Sequence, residues 1–311
     1  MPHPDTWPIY LKYFGFTTED ELRRFLKDDL VWHPCDWLSY KHPRGEPLFN
    51  AVRTGISEGA VPVFADCEDP AEVDAWDGWP SVDYLDFTEV LDRLRNAGDV
   101  YRAGGMWSCF FHIVADFFGM ENYFVKMFTH PEVVDAVTRH VCEFYLEANR
   151  RFFELAGSEL DAFFFGNDLG TQLDLIIGPK EIERFVMPYT RKLIDQAHAY
   201  GYQVMHHCCG SIHRIIDKFI EAGVDALHPL QARARGMDAE SLARRFKGRI
   251  AFVGGIDTQE LLVHGTPEEV KAEVRRVMGL LGPNLVVSPS HEALLPNVPP
   301  ENVLAMSEAV V

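Results

Sequence analysis

Segments that would direct or anchor a protein to a membrane are missing from this sequence. The first ten residues, MPHPDTWPIY, contain neither a basic start nor an apolar core, so a secretory signal peptide is not expected. No run approaches 18 consecutive apolar residues, so a membrane-spanning helix is not expected either. These absences predict a cytoplasmic protein with no membrane partner.

Positive charge and cysteine are also scarce. The 29 Lys and Arg residues are outnumbered by 47 Asp and Glu residues, and the net charge is −18. A nucleic-acid partner is not expected, because a polyanion would be repelled. The six cysteines are scattered, apart from the adjacent Cys208 and Cys209. That distribution does not indicate a disulfide framework and fits a reducing cytoplasm.

From about residue 100 the sequence alternates between short apolar runs and longer amphipathic runs. Such short runs between helices are typical of parallel strands that are covered on both faces. The predicted strands are 100–106, 160–165, 202–206, 224–227, 250–253 and 285–288, with a weaker one at 29–32. Repeated βα units of this kind predict right-handed crossovers and a parallel sheet.

Several helix starts can be predicted from local signals. Thr266 and Thr129 each precede Pro and then Glu in the pattern of a capping box. A helix is also expected from 18–21, another from Pro179, and a further one capped by Ser211.

These elements predict an α/β fold, specifically a TIM (β/α)8 barrel that is distorted or incomplete at its N-terminal strand. An open doubly wound sheet is the alternative, but no G-x-G-x-x-G follows a strand to indicate a dinucleotide-binding domain. We predict one domain over 1–311, with an irregular part at 1–95 and regular βα units at 96–311. The stretch 68–87 is interpreted as an excursion packed on the barrel, because it carries Trp76, Trp79 and Tyr84, which a disordered linker would seldom contain.

The strongest chemical signal is Met205-His206-His207-Cys208-Cys209-Gly210, at the end of a predicted strand. Side chains alternate along a strand, so His207 and Cys209 share one face, and His206 and Cys208 share the other. Met205 lies with His207, so we place His207 and Cys209 inside the barrel as zinc ligands, with His206 and Cys208 as alternates. The simpler interpretation is that all four are core or satisfied polar residues.

A second polar cluster, Ser288-Pro289-Ser290-His291-Glu292, follows the last predicted strand. Active residues of a TIM barrel lie at the carboxyl ends of strands. His291 would complete three zinc ligands with His207 and Cys209, and a fourth position would stay open for substrate or water. Glu292 is an alternate ligand, an orienting partner of His291, or a helix-start acid.

Other polar residues near strand ends are weaker candidates. Asp168 would be a catalytic base, a substrate acceptor or a turn residue, and His291 is the second catalytic candidate. The predicted substrate-binding residues are Asn167, Gln172, Met205, Gln231 and Trp107.

Six segments resemble the uroporphyrinogen decarboxylase-like superfamily in order and spacing. They are GNDLGTQ, MHHCCGSI, GVDALHPLQ, FVGGIDTQELL, HGTPEEVKAEV and SPSHEALLPNVPPENVLAM. The resemblance covers about residue 95 to the C-terminus and implies a TIM barrel. One branch of the superfamily decarboxylates uroporphyrinogen without a cofactor, but its arginine-rich R-Q-A-G-R motif is missing here.

The other branch moves methyl groups between a corrinoid protein and a thiol or related acceptor. It resembles this chain at His207, Cys209 and Gly210, whereas His291 stands where that branch has a third, cysteine ligand. The resemblance therefore implies zinc, and cobalamin carried by a partner protein, since no D-x-H-x-x-G cobalamin motif occurs here. It also allows a homodimer.

The change from Cys to His alters the charge of the expected site. One thiolate and two neutral imidazoles leave zinc with a formal charge of +1, which favours an oxygen substrate. We therefore hypothesise methyl transfer between a corrinoid protein and a methoxy compound, an alcohol or a thiol. There are two competing hypotheses. One is a cofactor-free decarboxylase of an unknown carboxylate that uses Asp168 or His291, and the other is a non-catalytic barrel that binds a corrinoid or a small ligand.

Overall fold

Helices and strands alternate along most of the chain. The computed structural model describes residues 2–51, 60–291 and 293–310. The strands are β1 (Leu30–Cys35), β2 (Tyr101–Met106), β3 (Ala162–Gly166), β4 (Gln203–His207), β5 (Ala226–Leu230), β6 (Ala251–Ile256) and β7 (Leu285–Pro289). The helices are α1 (Trp7–Phe14), α2 (Glu19–Phe25), α3 (Pro70–Ala75), α4 (Thr88–Arg95), α5 (Phe110–Phe118), α6 (Met120–Thr129), α7 (Pro131–Ala156), α8 (Pro179–Glu181), α9 (Met187–Ala199), α10 (Ile216–Glu221), α11 (Ala239–Phe246), α12 (Leu261–His264), α13 (Pro267–Leu281) and α14 (Pro300–Val310).

The seven strands form one sheet in which they follow each other in chain order. β2 and β3 run parallel, as do all neighbouring pairs from β4 to β7. Sequential parallel order is that of a TIM barrel and differs from the reversing order of a doubly wound sheet. The predicted α/β fold is thus confirmed. Within the described residues the sheet has one strand fewer than a complete eight-stranded barrel.

Every strand predicted from the sequence overlaps an observed one. The prediction worked because these strands are short, apolar and bounded by polar residues or glycine, as expected of strands covered on both faces. No helix within the described ranges is both long and apolar enough to cross a membrane. All six cysteines are described, and none forms a disulfide.

The chain divides into two compact units, one comprising 32–168 and 177–204 and the other comprising 1–31, 169–176 and 205–311. A single domain therefore stays a prediction. In the 32–168 unit, the 26-residue helix α7 supplies much of the core. Phe163 of β3 packs against Phe153 of α7, with ring centroids 5.3 Å apart. Phe164 points the other way and contacts Trp32, as alternation along a strand requires.

The excursion at 68–87 is packed in this unit, as the sequence predicted. Trp79 stacks on His140 of α7, with ring centroids 4.5 Å apart and an interplanar angle of 9°. Its indole Nε1 donates a hydrogen bond to the carbonyl of Val73 at 3.0 Å. These contacts fix the segment against a helix, so it does not behave as a linker.

Of the five predicted helix starts, those at Thr18, Pro179 and Thr266 are correct, whereas the predicted caps Thr129 and Ser211 are wrong. Thr18 and Thr266 form capping boxes at the starts of α2 and α13. Thr129, in contrast, is the last residue of α6, and α7 begins at Pro131 with no side-chain cap. Ser211 does not cap α10, since that helix begins at Ile216 and the Ser211 hydroxyl donates to the carbonyl of Arg235. The hydroxyl of Thr129 instead donates to the carbonyl of Val125, four residues earlier in α6.

Candidate functional site

The end of β4 carries the histidine and cysteine pair that the sequence singled out. His206 packs its ring on Phe219 of α10, with centroids 4.6 Å apart, so it faces a helix. His207 points to the opposite face, and its Nε2 lies 3.2 Å from the Sγ of Cys209. Both are buried, with 4% and 9% of their surfaces exposed. The alternation inferred from the sequence thus matches the side-chain directions of His206 and His207.

A histidine of the neighbouring strand completes this part of the site. His228 is paired with His207 in the register of β5 and β4. The two Nδ1 atoms are 2.9 Å apart and the rings are tilted by 41°, so the imidazoles share a hydrogen bond. The amide of Cys208 donates to the carbonyl of His228 at 2.7 Å, which holds the two strand ends together.

His228 was missed in the sequence analysis. It lies in the apolar run Ala226–Leu230 and is followed by Pro229, so it gives no strand-end signal. A buried histidine in an otherwise apolar strand is itself unusual, because imidazole needs hydrogen-bond partners when it is desolvated. That polar residue, on the strand next to His207, was the available clue.

The turn after Cys209 is held by Gln231. The side-chain Oε1 of Gln231 accepts a hydrogen bond from the backbone amide of Gly210 at 2.8 Å. This contact uses the carbonyl half of the Gln231 amide. A role of Gln231 in binding substrate stays a prediction that would involve its amide nitrogen.

The segment Leu169–Ile176 lies against the same turn. The carbonyl of Thr171 accepts from the amide of Ser211 at 2.7 Å. Arg214 donates two hydrogen bonds to Asp174, at 2.9 and 3.1 Å. The backbone amide of Leu175, followed by Arg214, lowers the pKa of the exposed Asp174 carboxyl. These bonds fix the segment against the turn after Cys209.

Asp168, His207 and Cys209 form a candidate metal centre. A carboxylate oxygen, a ring nitrogen and a sulfur of these residues all lie within 4.8 Å of one another, and no other such group of three occurs in the described part of the chain. Oxygen, nitrogen and thiolate sulfur are the donor types that bind Zn²⁺. Asp168, expected as a catalytic base, therefore stands beside the predicted zinc ligands.

His291 lies in the loop after β7 and is half-buried. Its Nδ1 is 3.4 Å from the amide of Ala293, and the preceding Ser290 is fixed by donating its amide to Ile256 at 2.7 Å. It is not a member of the three-residue group. Its role as a zinc ligand or catalytic residue stays a prediction, and Glu292 lies outside the described residues.

The remaining predicted substrate residues lie at different kinds of positions. Met205 is buried in β4, whereas Gln172 is exposed and accepts the amide of Arg235 through its backbone carbonyl. The buried Asn167 accepts the amide of Phe111 at the start of α5, at 2.8 Å. Trp107 is half-buried, and its ring packs at a tilt against that of Trp32. None of these contacts tests substrate binding.

Comparison with known proteins places this site in a family. The family model described as "Uroporphyrinogen decarboxylase (URO-D)" matches residues 52–311. The chain belongs to the uroporphyrinogen decarboxylase family. A uroporphyrinogen decarboxylase of Geotalea daltonii is 30% identical over 140 residues, which are 43% of this chain and 38% of that protein.

Methyltransferases also occur among the relatives of this family member. The "Methylcobamide:CoM methyltransferase MtbA" of Methanosarcina mazei is 24% identical over 158 residues, covering 51% of this chain and 44% of that protein. The chain thus matches less than half the length of these curated relatives. A solved methyltransferase from Methanosarcina mazei shares the fold, with a TM-score of 0.57 and 19% identity, over 72% of this chain and 64% of the other.

Proposed function

We propose that this protein is a zinc-dependent methyltransferase that moves a methyl group between a small substrate and a separate corrinoid protein. Asp168, His207 and Cys209 would hold the metal. The observation that carries the proposal is the meeting of an oxygen, a nitrogen and a sulfur donor within 4.8 Å. Three protein ligands and one open position are the arrangement of a catalytic zinc site, whereas a structural site uses four protein ligands.

The spacing of the donors fits a zinc ion. Bonds of about 2.0–2.3 Å in a tetrahedral arrangement place the ligand atoms about 3.3–3.7 Å apart. The His207 Nε2 and Cys209 Sγ atoms are 3.2 Å apart, so small side-chain movements would suffice. Both side chains lie on one strand end that is fixed by backbone hydrogen bonds, which reduces the entropy lost on binding.

The donor set also bears on the substrate. Asp168 and Cys209 together supply two negative charges, which neutralise a divalent ion, whereas the His207, Cys209 and His291 set would leave it at +1. When bound, zinc would act as a Lewis acid that keeps a small thiol or alcohol in its deprotonated form at neutral pH. A zinc ion that is neutralised by two anionic ligands withdraws less electron density from that substrate than a +1 site would. We therefore favour a thiol over an alcohol or a methoxy compound.

The relatives support a corrinoid partner. A methylcobamide methyltransferase is among them, and a second MtbA, of Methanosarcina acetivorans, is 24% identical over 167 residues. The second candidate function is a cofactor-free decarboxylase of an unknown carboxylate, which the uroporphyrinogen decarboxylase relatives favour. In that case Asp168 or His291 would transfer the proton. A cytoplasmic location and a homodimer remain part of the proposal.

The adjacent cysteines provide a matched test. We expect one zinc per chain in the purified protein and in Cys208→Ala, but a large loss in Cys209→Ala, since only Cys209 belongs to the candidate group. The same proteins would be screened spectroscopically for demethylation of methylcobalamin with thiols and alcohols as methyl acceptors, and for methylation of cob(I)alamin with methoxyaromatics and methylamines as methyl donors. Activity that persists in metal-free protein would contradict the proposal, and decarboxylation without metal would support the second candidate.

A further inference from the structure

We propose that His228 is a positioning residue that holds His207 in the one tautomer able to bind metal. The inference rests on the proposed zinc site and extends it beyond the three ligands. It starts from the 2.9 Å distance between the Nδ1 atoms of His207 and His228. Only 4% and 7% of these residues are exposed, so water has little access to replace the bond.

A hydrogen bond between two Nδ1 atoms requires that one carries the hydrogen and the other accepts it. Two arrangements satisfy the contacts of His207 with His228 and Cys209. In the first, His207 donates its Nδ1–H to His228, and the thiol of Cys209 donates to the Nε2 lone pair of His207. In the second, His228 donates to His207, and the Nε2–H of His207 points at the sulfur of Cys209.

Only the first arrangement presents a lone pair where the metal would bind. Its Nε2 is the ring atom that lies 3.2 Å from Cys209 Sγ. A metal bound there would be held by the Nε2 lone pair of His207 and by Cys209 as a thiolate, while His207 would keep the hydrogen on Nδ1. A metal-bound histidine usually donates its second ring N–H to an acceptor, and that partner raises affinity and fixes the ring.

Backbone pairing between β4 and β5 holds His228 beside His207. The two residues are register partners of adjacent parallel strands, and the Cys208 amide is bonded to the carbonyl of His228. His228 is not a member of the candidate metal group. Its contribution would therefore act through the ring of His207 and not through direct ligation.

Two substitutions of similar size separate this role from simple packing. In His228→Asn the amide oxygen can occupy the place of Nδ1 and accept from His207, whereas His228→Leu removes the acceptor. Zinc affinity would be measured by competition with a chromogenic chelator. We expect His228→Leu to bind zinc about 10–100-fold more weakly, and His228→Asn to stay near the unsubstituted protein.

A second measurement needs no metal and no variant. Nitrogen-15 chemical shifts of the histidine rings in metal-free protein report which nitrogen carries the hydrogen. We expect His207 with hydrogen on Nδ1. A hydrogen found on Nε2, or His228→Leu binding zinc as tightly as His228→Asn, would overturn the proposed role of His228. Absence of zinc binding by the unsubstituted protein would instead contradict the proposed function, so the two failures can be told apart.

Discussion

Gly210 and Gly170 approach so closely that no side chain fits between them. A Cβ atom on Gly210 would lie 2.4 Å from the carbonyl carbon of Gly170 and 2.7 Å from the carbonyl oxygen of Thr171. Gly210 also has φ of +86°, which side chains disfavour. Glycine at 210 therefore lets the turn after Cys209 pack directly on the backbone of Gly170 and Thr171.

The first prediction separates that contact from backbone strain. Gly201 has nearly the same φ, +85°, but a Cβ there would meet nothing within 4 Å. We expect Gly201→Ala to lower the free energy of unfolding by about 1–3 kcal/mol through backbone strain alone. Gly210→Ala should cost about 1–3 kcal/mol more, because backbone atoms must move. Equal losses of unfolding free energy in the two variants, measured by denaturant unfolding, would show that the backbone around Gly210 can move apart at little cost.

The second prediction concerns the hydrogen bond that holds the same turn. Gln231→Leu removes the acceptor of the Gly210 amide, which is partly buried, and should cost about 1–3 kcal/mol of unfolding free energy. Gln231→Glu keeps an oxygen at that position and should cost less. Denaturant unfolding of both variants is the measurement. A Glu variant that is no more stable than the Leu variant would mean that the bond does not hold the turn.

The fold could be predicted from sequence because its signals are local. Short apolar strands, the Thr18 and Thr266 caps and Pro179 each act within a few residues, and each is found where predicted. The Thr129 cap was wrong because its hydroxyl donates back to Val125 within α6, and the Ser211 cap was wrong because its partner, Arg235, is set by the folded chain. Ser211 in particular bonds to a residue 24 positions away, which no local pattern reveals.

In the candidate site, too, some features follow from local sequence and others depend on the folded chain. The side-chain directions of His206 and His207 followed from alternation along β4, a property of a single strand. The partnership with His228 depends on the register between β4 and β5, which the sequence of one strand does not specify. The grouping with Asp168 likewise depends on tertiary structure.

The third prediction concerns how the stability of the protein changes at acidic pH. Hydrogen bonds from Arg150 and then Arg151 lower the pKa of Glu147, in α7, from 4.5 to about 2. A lowered pKa in the folded state stabilises the protein above about pH 4.5, and that stabilisation is lost as the pH falls towards about 2. The contribution of this carboxylate to the free energy of unfolding is below about 1 kcal/mol, because Glu147 is partly exposed and screened by solvent.

We expect Glu147→Gln to melt at a lower temperature than the unsubstituted protein at neutral pH. The gap should narrow as the pH falls from about 4.5 towards about 2, because the carboxylate of the unfolded chain takes up a proton in that range while the native one is still ionised. Thermal melting followed by circular dichroism at several pH values would measure it. If the difference in melting temperature stayed constant down to about pH 2, Glu147 would contribute by packing and not by charge.

The fourth prediction decides which residue completes the metal site. Asp168 belongs to the group of three, whereas His291 was the ligand expected from sequence. Asp168→Asn removes the negative charge at nearly constant size. His291→Asn can keep an acceptor for the Ala293 amide in place of Nδ1 while it removes the other ring nitrogen. We expect zinc affinity to fall at least about 10-fold in Asp168→Asn and to change little in His291→Asn.

Each other outcome of that comparison has a definite meaning. Loss of zinc only in His291→Asn would favour the His207, Cys209 and His291 set, and with it the +1 site suited to an oxygen substrate. Loss in both variants would indicate four protein ligands, the closed arrangement of a structural zinc. A closed site leaves no position for a substrate, so that result would contradict the proposed methyl transfer at this metal even though zinc is bound.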